Sequence, residues 1–287
     1  MTDVGKDLRV GFVGLGEIGV PMARRIMQAG WPLTVYARRP QVLEPFRNTT
    51  AVIARSLREL GERSDIVGIC VFDDQQVEDV ILGDGILSGM RRGGILLIHS
   101  TAHRDTCRRM AEAAAPLGVA VLDAPISGGP DGANAGTLGV MVGGDAQAFE
   151  RSRPVLESFA RNVRRVGPVG SGQAAKIINN ALYSAQGKLV HEAITLGEAL
   201  GLDRKALIDL LQASSSDSFV LRRYAVTASL EYWVNHRGTA KGNVTNVLGK
   251  DADLYLGLED AAGGDAGDVG RLAQAFVTAL RALNVGK

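Results

Sequence analysis

The sequence predicts an α/β domain with a doubly wound parallel sheet, followed by an all-α domain. In the first half of the chain, short runs rich in Val, Ile and Leu alternate with helical patterns. This alternation is typical of a parallel sheet that is covered by helices on both faces. After Val166 only helical patterns follow. We therefore expect residues 1–168 to form the first domain and residues 169–287 to form the second.

The elements of the first domain follow from these patterns in chain order. Buried runs bounded by Gly, Asp or Ser predict five strands. They are Leu8–Leu15, Leu33–Ala37, Ile66–Val71, Ile95–His99 and Val119–Leu122. Helices are predicted between them at Ile18–Gln28, Asp74–Ile81 and Arg104–Leu117. Two further strands, both expected at an edge of the sheet, are predicted at Thr137–Val142 and Asn162–Val166, flanking a helix from about Ala146 to Ser158.

The second domain is predicted to begin with one long helix over Gly172–Leu200. This segment has no proline and only two interior glycines, Gly187 and Gly197. At about 1.5 Å per residue the helix would be roughly 40 Å long, enough to leave the first domain and begin the second. The downstream helices are predicted at Arg204–Gln212, Phe219–Val234, Val244–Ala262 and Val269–Leu283.

Composition narrows the class of protein. The chain has 287 residues, of which 46% are hydrophobic and 22% charged, and a net charge of +1. These values predict a soluble, cytoplasmic protein with no nucleic-acid or membrane partner. The N-terminus lacks the layout of a signal peptide, and no apolar stretch approaches the roughly 18 residues that span a bilayer. Cys70 and Cys107 have no metal-ligand spacing, so we expect reduced thiols and no metal.

A glycine-rich loop follows the first predicted strand and leads into the first helix. Gly14 would allow the tight turn, Gly16 would let the backbone approach a pyrophosphate, and Gly19 would let helix and strand pack closely. A merely tight turn between strand and helix is the alternative. The context favours a Rossmann-type dinucleotide site. Its predicted loop residues are Gly14, Leu15, Gly16, Glu17, Ile18 and Gly19.

The end of the second predicted strand indicates which dinucleotide binds. An NAD site usually has an acidic residue here, whereas this chain has Arg38 and Arg39. Guanidinium groups match a 2′-phosphate in charge and geometry, so NADP (NADPH) is favoured over NAD; solvated loop arginines are the alternative. Further cofactor contacts are expected after the next two strands, from Val71, Phe72 and Thr101. Ser100 or Thr101 is also a candidate N-cap of the following helix.

Three more motifs accompany the glycine loop. Asp123–Gly129 reads DAPISGG, Gly170–Asn180 reads GSGQAAKIINN, and Lys250–Leu254 reads KDADL. Together the four motifs resemble those of the β-hydroxyacid dehydrogenase family. The resemblance implies a Rossmann-like domain followed by an all-helical domain, with the active site in the cleft between them. One departure is His99, where relatives commonly have Asp.

The resemblance also implies roles for single residues. Ser127, Gly128 and Gly129 would bind the substrate carboxylate, and Lys250 would approach the cofactor or the substrate. For Ser127 a purely structural turn is the alternative, and for Lys250 a plain salt bridge. Relatives pair through the helical domain, so the resemblance implies a homodimer or a homotetramer.

Lys176 and Asn180 are the predicted catalytic residues. They lie four residues apart and therefore share one face of the long helix. The resemblance assigns proton transfer to Lys176 and orientation of the substrate to Asn180. A lysine in a mostly apolar stretch is expected to lose its charge more readily, which suits proton transfer near neutral pH. A snorkelling surface lysine is the alternative.

The sequence thus predicts an NADP-dependent oxidoreductase that transfers a hydride between nicotinamide and a small β-hydroxy acid or its semialdehyde. The substrate would be a small carboxylate or carbonyl compound. Two alternatives stay open, namely an imine reductase of the same architecture and a non-catalytic module that binds the cofactor. The presence of Lys176 argues against both, since imine reductases typically replace it and the non-catalytic relatives have lost it.

Overall fold

The computed structural model describes residues 7–227, 244–261 and 267–284. The chain divides into two compact units, Met1–Lys176 and Ile177–Lys287. The sequence-based boundary between residues 168 and 169 stays a prediction. The long helix that begins at Ser171 belongs to both units, because the division falls within it.

The first unit contains a nine-stranded sheet. Its strands are β1 (Val10–Val13), β2 (Leu33–Tyr36), β3 (Val52–Ile53), β4 (Ile66–Ile69), β5 (Ile95–Ile98), β6 (Ala120–Asp123), β7 (Ile126–Ser127), β8 (Leu138–Gly143) and β9 (Ala160–Gly167). The order is β3-β2-β1-β4-β5-β6-β8-β7, with β9 paired to β8. From β3 to β6 every pair is parallel, whereas β8 runs antiparallel to β6 and β7. The predicted doubly wound sheet is confirmed.

Apolar side chains cover both faces of this sheet. In β5, Ile95 and Leu97 join one hydrophobic cluster, while Leu96 and Ile98 join another on the opposite face. Successive side chains of a strand point to opposite faces, so a continuous apolar run buries both. This explains why the strands appear in the sequence as unbroken runs of Val, Ile and Leu.

Seven α-helices are described that begin in the first unit. They are α1 (Gly19–Gln28), α2 (Leu57–Glu62), α3 (Asp74–Ile81), α4 (Arg104–Ala114), α5 (Gly129–Ala135), α6 (Ala146–Leu156) and α7 (Ser171–Ala199). Three short 3₁₀ segments lie at Pro40–Phe46, Ile86–Ser88 and Ala115–Leu117. The prediction of one helix to Leu117 was therefore wrong in its last turn. It changes to 3₁₀ where Pro116 removes a backbone N–H donor.

One predicted strand was assigned to the wrong place in the sheet. The strand predicted at Thr137–Val142 is β8, which has neighbours on both sides and is not an edge strand. Burial alternates over Leu138–Met141 because successive side chains point to opposite faces of the sheet, one of which is less covered there. The strand predicted at Asn162–Val166 is β9, which the structure extends to Ala160–Gly167.

The second unit is helical throughout the part that the structure describes. After α7 come α8 (Arg204–Gln212), α9 (Phe219–Thr227), α10 (Val244–Ala261) and α11 (Asp268–Asn284). The predicted helices are confirmed there; the predicted continuations to Val234 and Ala262 lie outside the described residues. Its core contains Phe276 and Tyr224, and Gly187 of α7 packs so closely on Phe276 that a Cβ atom would lie 2.7 Å from the ring.

Candidate functional site

The glycine loop lies between β1 and α1. Gly14 has a φ of +91°, and a Cβ atom there would lie 2.1 Å from the carbonyl oxygen of Cys70. A Cβ atom at Gly19 would lie 2.0 Å from the carbonyl oxygen of Gly14. Gly16 differs, because no heavy atom lies within 4 Å of its Cβ position. Gly14 and Gly19 are thus required by packing, while Gly16 leaves space beside the backbone.

The start of α1 suits a phosphate group. Its N-cap, Ile18, offers no side-chain cap, and no acidic residue lies in the first turn. The Leu15 side chain belongs to the hydrophobic core, so only its backbone can contact a ligand, while Glu17 is exposed. Uncapped N–H groups and the positive end of a helix favour an anion. The loop therefore fits the pyrophosphate of a dinucleotide.

Arg38 and Arg39 lie just after β2, separated from it by Ala37. Both are exposed, and neither forms an ion pair within the described part of the chain. Because β1 and β2 are parallel, both arginines lie at the same edge of the sheet as the glycine loop. Two exposed cations at this edge are therefore available to a phosphate.

The loops after β4 and β5 meet at the same edge. The backbone N–H of Val71 donates to Ser100 Oγ at 3.0 Å. Phe72 is 50% exposed, which is high for a phenylalanine at the end of a buried strand. Thr101 follows Ser100 and is half-buried. The residues predicted to contact the cofactor from these two loops thus lie at the ends of neighbouring parallel strands.

The prediction that Ser100 or Thr101 caps the next helix was wrong. The N-cap of α4 is His103, whose Nδ1 accepts from the N–H of Asp105 at 3.3 Å. The hydroxyl of Ser100 instead accepts from Val71. Asp74 Oδ1 accepts from the N–H of His103 at 2.7 Å and holds the end of the loop after β5 in place.

The DAPISGG motif spans the end of β6, the short strand β7 and the start of α5. Ser127 ends β7 and is half-buried, Gly128 is the N-cap of α5, and Gly129 is its first residue. Gly128 has a φ of +131°. Ser127, Gly128 and Gly129 therefore form a strand-to-helix junction. Two residues of strand and seven of helix are too short for a periodicity signal.

Asp123, the first residue of that motif, anchors the start of α7. Its side chain is fully buried, and its carboxylate accepts from the N–H groups of Gly170 at 2.7 Å and Gln173 at 2.8 Å. Burial raises the pKa of Asp123, and these backbone donors oppose the rise. A Cβ atom at Gly143 or Gly172 would lie within 3 Å of the carboxylate. The two motifs are thus joined at the carboxyl end of β6.

Lys176 lies in the second turn of α7 and is 9% exposed. Asn180 lies one turn further on, in the second unit, where its Nδ2 donates to Asp251 Oδ2 at 2.7 Å. Lys250, half-exposed, precedes Asp251, which is 2% exposed. Within the second unit the structure therefore joins Asn180 to the KDADL motif. The sequence gives no local signal for this pairing, because the two residues lie 71 positions apart.

His99 is buried at the end of β5. It is 2% exposed, and its Nδ1 lies 2.9 Å from the carbonyl oxygen of Ala124. Its ring stacks on Phe12 and meets the edge of Phe159. Burial lowers the pKa of His99 to about 4, opposed by the hydrogen bond to Ala124. The residue is thus a neutral part of the core.

Over residues 7–227, 244–261 and 267–284, no group of three His, Cys, Asp or Glu side chains is placed to hold a metal ion. In the same ranges no helix is long and apolar enough to cross a membrane.

A Rossmann-like sheet, an uncapped glycine loop at its carboxyl edge and a following helical unit define a class, the nicotinamide-dependent dehydrogenases. Two family models match the chain. Residues 9–167 match the NAD-binding domain of 6-phosphogluconate dehydrogenase. Residues 170–286 match the NAD-binding domain of NADP-dependent 3-hydroxyisobutyrate dehydrogenase.

Similar proteins point to the same family. The 3-hydroxyisobutyrate dehydrogenase of Pseudomonas aeruginosa is 39% identical over 258 residues, which is 89% of this chain and 85% of that protein. The NAD-dependent L-serine dehydrogenase of the same organism is 39% identical over 217 residues, 75% of this chain and 73% of that protein. The solved structure of Mycobacterium tuberculosis 3-hydroxyisobutyrate dehydrogenase with L-serine has a TM-score of 0.80 at 27% identity, covering 94% of this chain and 93% of that one.

The chain belongs to the β-hydroxyacid dehydrogenase family. It is an NAD(P)-dependent dehydrogenase that acts on the CH–OH group of hydroxy acids.

Proposed function

We propose that the enzyme uses NADP and interconverts a small β-hydroxy acid with its semialdehyde, with Lys176 transferring the proton. The observation that carries the proposal is the position of Lys176. It is buried in the second turn of α7, and the first turn is bonded to Asp123 at the carboxyl end of β6. Ligands of doubly wound sheets bind at this edge. A lysine amine at this edge can exchange a proton with the hydroxyl of a bound hydroxy acid.

The other residues would bind and orient the substrate. Ser127 offers a hydroxyl, and Gly128 and Gly129 offer backbone N–H groups, to the substrate carboxylate. The Asn180 amide, held by Asp251, would bind the reacting oxygen. Lys250 would add a cation near the cofactor or the substrate.

When bound, the nicotinamide ring supplies hydride transfer at the carbinol carbon. During oxidation, the lone pair of neutral Lys176 takes the proton of the substrate hydroxyl, and the O–H electrons form the carbonyl bond. During reduction, protonated Lys176 returns that proton to the forming alkoxide. The Lys176 amine nitrogen thus removes the proton in one direction and returns it in the other, so negative charge does not build up on the substrate oxygen.

The preference for NADP rests on Arg38 and Arg39. A 2′-phosphate would meet two cations, and the end of β2 has no carboxylate to bind the hydroxyls of NAD. One similar dehydrogenase is NAD-dependent by name, while one matching family model is described as NADP-dependent. The two names differ in the cofactor, so the preference proposed for this chain depends on Arg38 and Arg39.

Pairing of two or four copies through the helical domain is part of the proposal. Along α7, Ile178, Leu182, Leu189 and Leu196 are 51%, 46%, 52% and 61% exposed. Leucines spaced by seven residues lie on one helix face, and an exposed apolar stripe favours association. Light scattering coupled to size exclusion gives the mass directly; a monomer would overturn this part.

A substrate screen tests the proposed function. The purified enzyme is supplied with NADPH or NADP⁺ and a panel of 3-hydroxyisobutyrate, serine, related short hydroxy acids and their semialdehydes, and absorbance at the NADPH band is followed. Turnover of a member of the panel is expected. Turnover of cyclic imines alone would identify an imine reductase. NADPH binding without any turnover would identify a non-catalytic module.

A further inference from the structure

Gln173 lies in the first turn of α7, three residues before Lys176, and its side chain is fully buried. Its Nε2 donates to the carbonyl oxygen of Ser100 at 2.8 Å, and its Oε1 accepts from the N–H of Ala102 at 3.1 Å. The amide also makes a hydrogen bond with the Cys107 thiol, whose pKa is raised by burial. Gln173 thus bonds to the backbone on both sides of Thr101.

The amide is not needed to begin the helix. Asp123 already accepts from the N–H groups of Gly170 and Gln173 itself, which satisfies donors of the first turn. Nor is a polar amide needed to fill the space. A methionine at this position would have a similar volume and would avoid the free-energy cost of burying a polar group. The two hydrogen bonds from the Gln173 side chain to backbone atoms therefore connect the helix to the loop after β5.

That loop is linked in turn to the loop after β4. Ser100, whose carbonyl oxygen binds Gln173, accepts from the N–H of Val71 through its hydroxyl. One buried side chain therefore connects the helix that carries Lys176 with Val71 and Thr101. These are the segments that we propose to contact the cofactor.

We infer that Gln173 is a positioning residue, which sets the separation between the Lys176 amine and the loops that hold the nicotinamide ring. The inference rests on the proposed function. Proton transfer and hydride transfer must occur on one substrate molecule, so the amine and the ring need a fixed spacing. A misplacement of about 1 Å can cost about 100-fold in rate.

The test is Gln173→Met, which keeps the volume and removes both backbone bonds. The matched control is Ser64→Ala, which removes another buried bond to backbone in the same unit, from Ser64 Oγ to the Leu60 carbonyl oxygen at 2.6 Å. Measured quantities are kcat, the KM of both substrates, the melting temperature and the primary deuterium isotope effect with 4-deuterated NADPH. We expect kcat of Gln173→Met to fall about 10- to 100-fold, with a larger isotope effect. Ser64→Ala is expected to melt earlier and keep the wild-type kcat and isotope effect.

A wild-type kcat and isotope effect in folded Gln173→Met would overturn the inference, even if the melting temperature falls. If that variant does not fold, Gln173→Glu replaces it: the carboxylate can still accept from Ala102 but cannot donate to Ser100, and the same changes are expected. Lys176→Ala is measured beside them. Wild-type turnover by Lys176→Ala would overturn the proposed mechanism and this inference together, whereas an inactive Lys176→Ala with an unaffected Gln173→Met overturns the inference alone.

Discussion

His99 gives the first prediction, because its burial couples folding to pH. The ring is 2% exposed between Phe12 and Phe159, and burial lowers its pKa to about 4 from 6.5. Above pH 6.5 the ring is neutral in both the folded and the unfolded chain, so it adds no pH dependence. Between 6.5 and 4 the unfolded chain takes up a proton that the folded chain does not. The stability conferred by the neutral ring is therefore present above pH 6.5 and lost as the pH falls.

The size of the effect follows from linkage. Each pH unit within this window costs about 1.4 kcal/mol in the free energy of unfolding. From pH 8 to pH 5 the loss attributable to His99 is therefore about 2 kcal/mol. Below pH 4 the folded chain also binds the proton, and the loss levels off.

The assay is urea unfolding of the wild type and of His99→Gln, followed by circular dichroism at several pH values from 8 to 4.5. Glutamine keeps a donor for the carbonyl oxygen of Ala124 but does not titrate. The variant is expected to be less stable at pH 8 and to lose about 2 kcal/mol less than the wild type on going to pH 5. Parallel stability curves for the two proteins would refute the assignment of a neutral, buried His99.

Two further predictions concern the cofactor site. Arg38→Asp is expected to lower the preference for NADPH over NADH by about 10-fold or more, since a charge-assisted bond contributes about 1.5–3 kcal/mol. Arg91→Asp, an exposed arginine before β5 at the opposite edge of the sheet, is the control; equal effects would contradict the role of Arg38. Gly16→Ala is expected to fold normally, because its Cβ position is open, yet to bind NADPH more weakly by calorimetry. Gly14→Ala should instead yield little folded protein, and normal folding with tight binding in both variants would contradict this account of the loop.

The sequence predicts the parts of this fold that depend on long or repeated patterns. The 29-residue helix α7 was foreseen within one residue at each end because its apolar residues recur over eight turns without proline. Strands β1, β2, β4, β5 and β6 followed from continuous apolar runs, since both faces of the sheet are buried. The parallel strand β3 has only two residues, which is too short for such a signal. The glycine loop was predicted from spacing, and the structure adds which glycines are required by packing.

Other features depend on contacts between distant residues and leave no local signal. The bonds from Gln173 to Ser100 and Ala102 span more than 70 residues, and so does the bond from Asn180 to Asp251. Gly187 appears in the sequence only as an interior glycine of the long helix, whereas in the structure the Phe276 ring packs on it. Helical spacing shows which residues share a face, but not what packs on it.

Replacement of Lys176 tests the proposed proton transfer most directly. Turnover of the substrate found in the screen and NADPH affinity are measured for the wild type, Lys176→Ala and Lys188→Ala. Lys188 lies on the same helix and pairs with Glu192 at 2.9 Å, so it controls for the loss of a lysine. We expect Lys176→Ala to bind NADPH as the wild type does and to lose turnover by at least about 100-fold, the usual contribution of a general acid–base. Lys188→Ala should keep both. Turnover by Lys176→Ala close to that of the wild type would contradict the proposed mechanism.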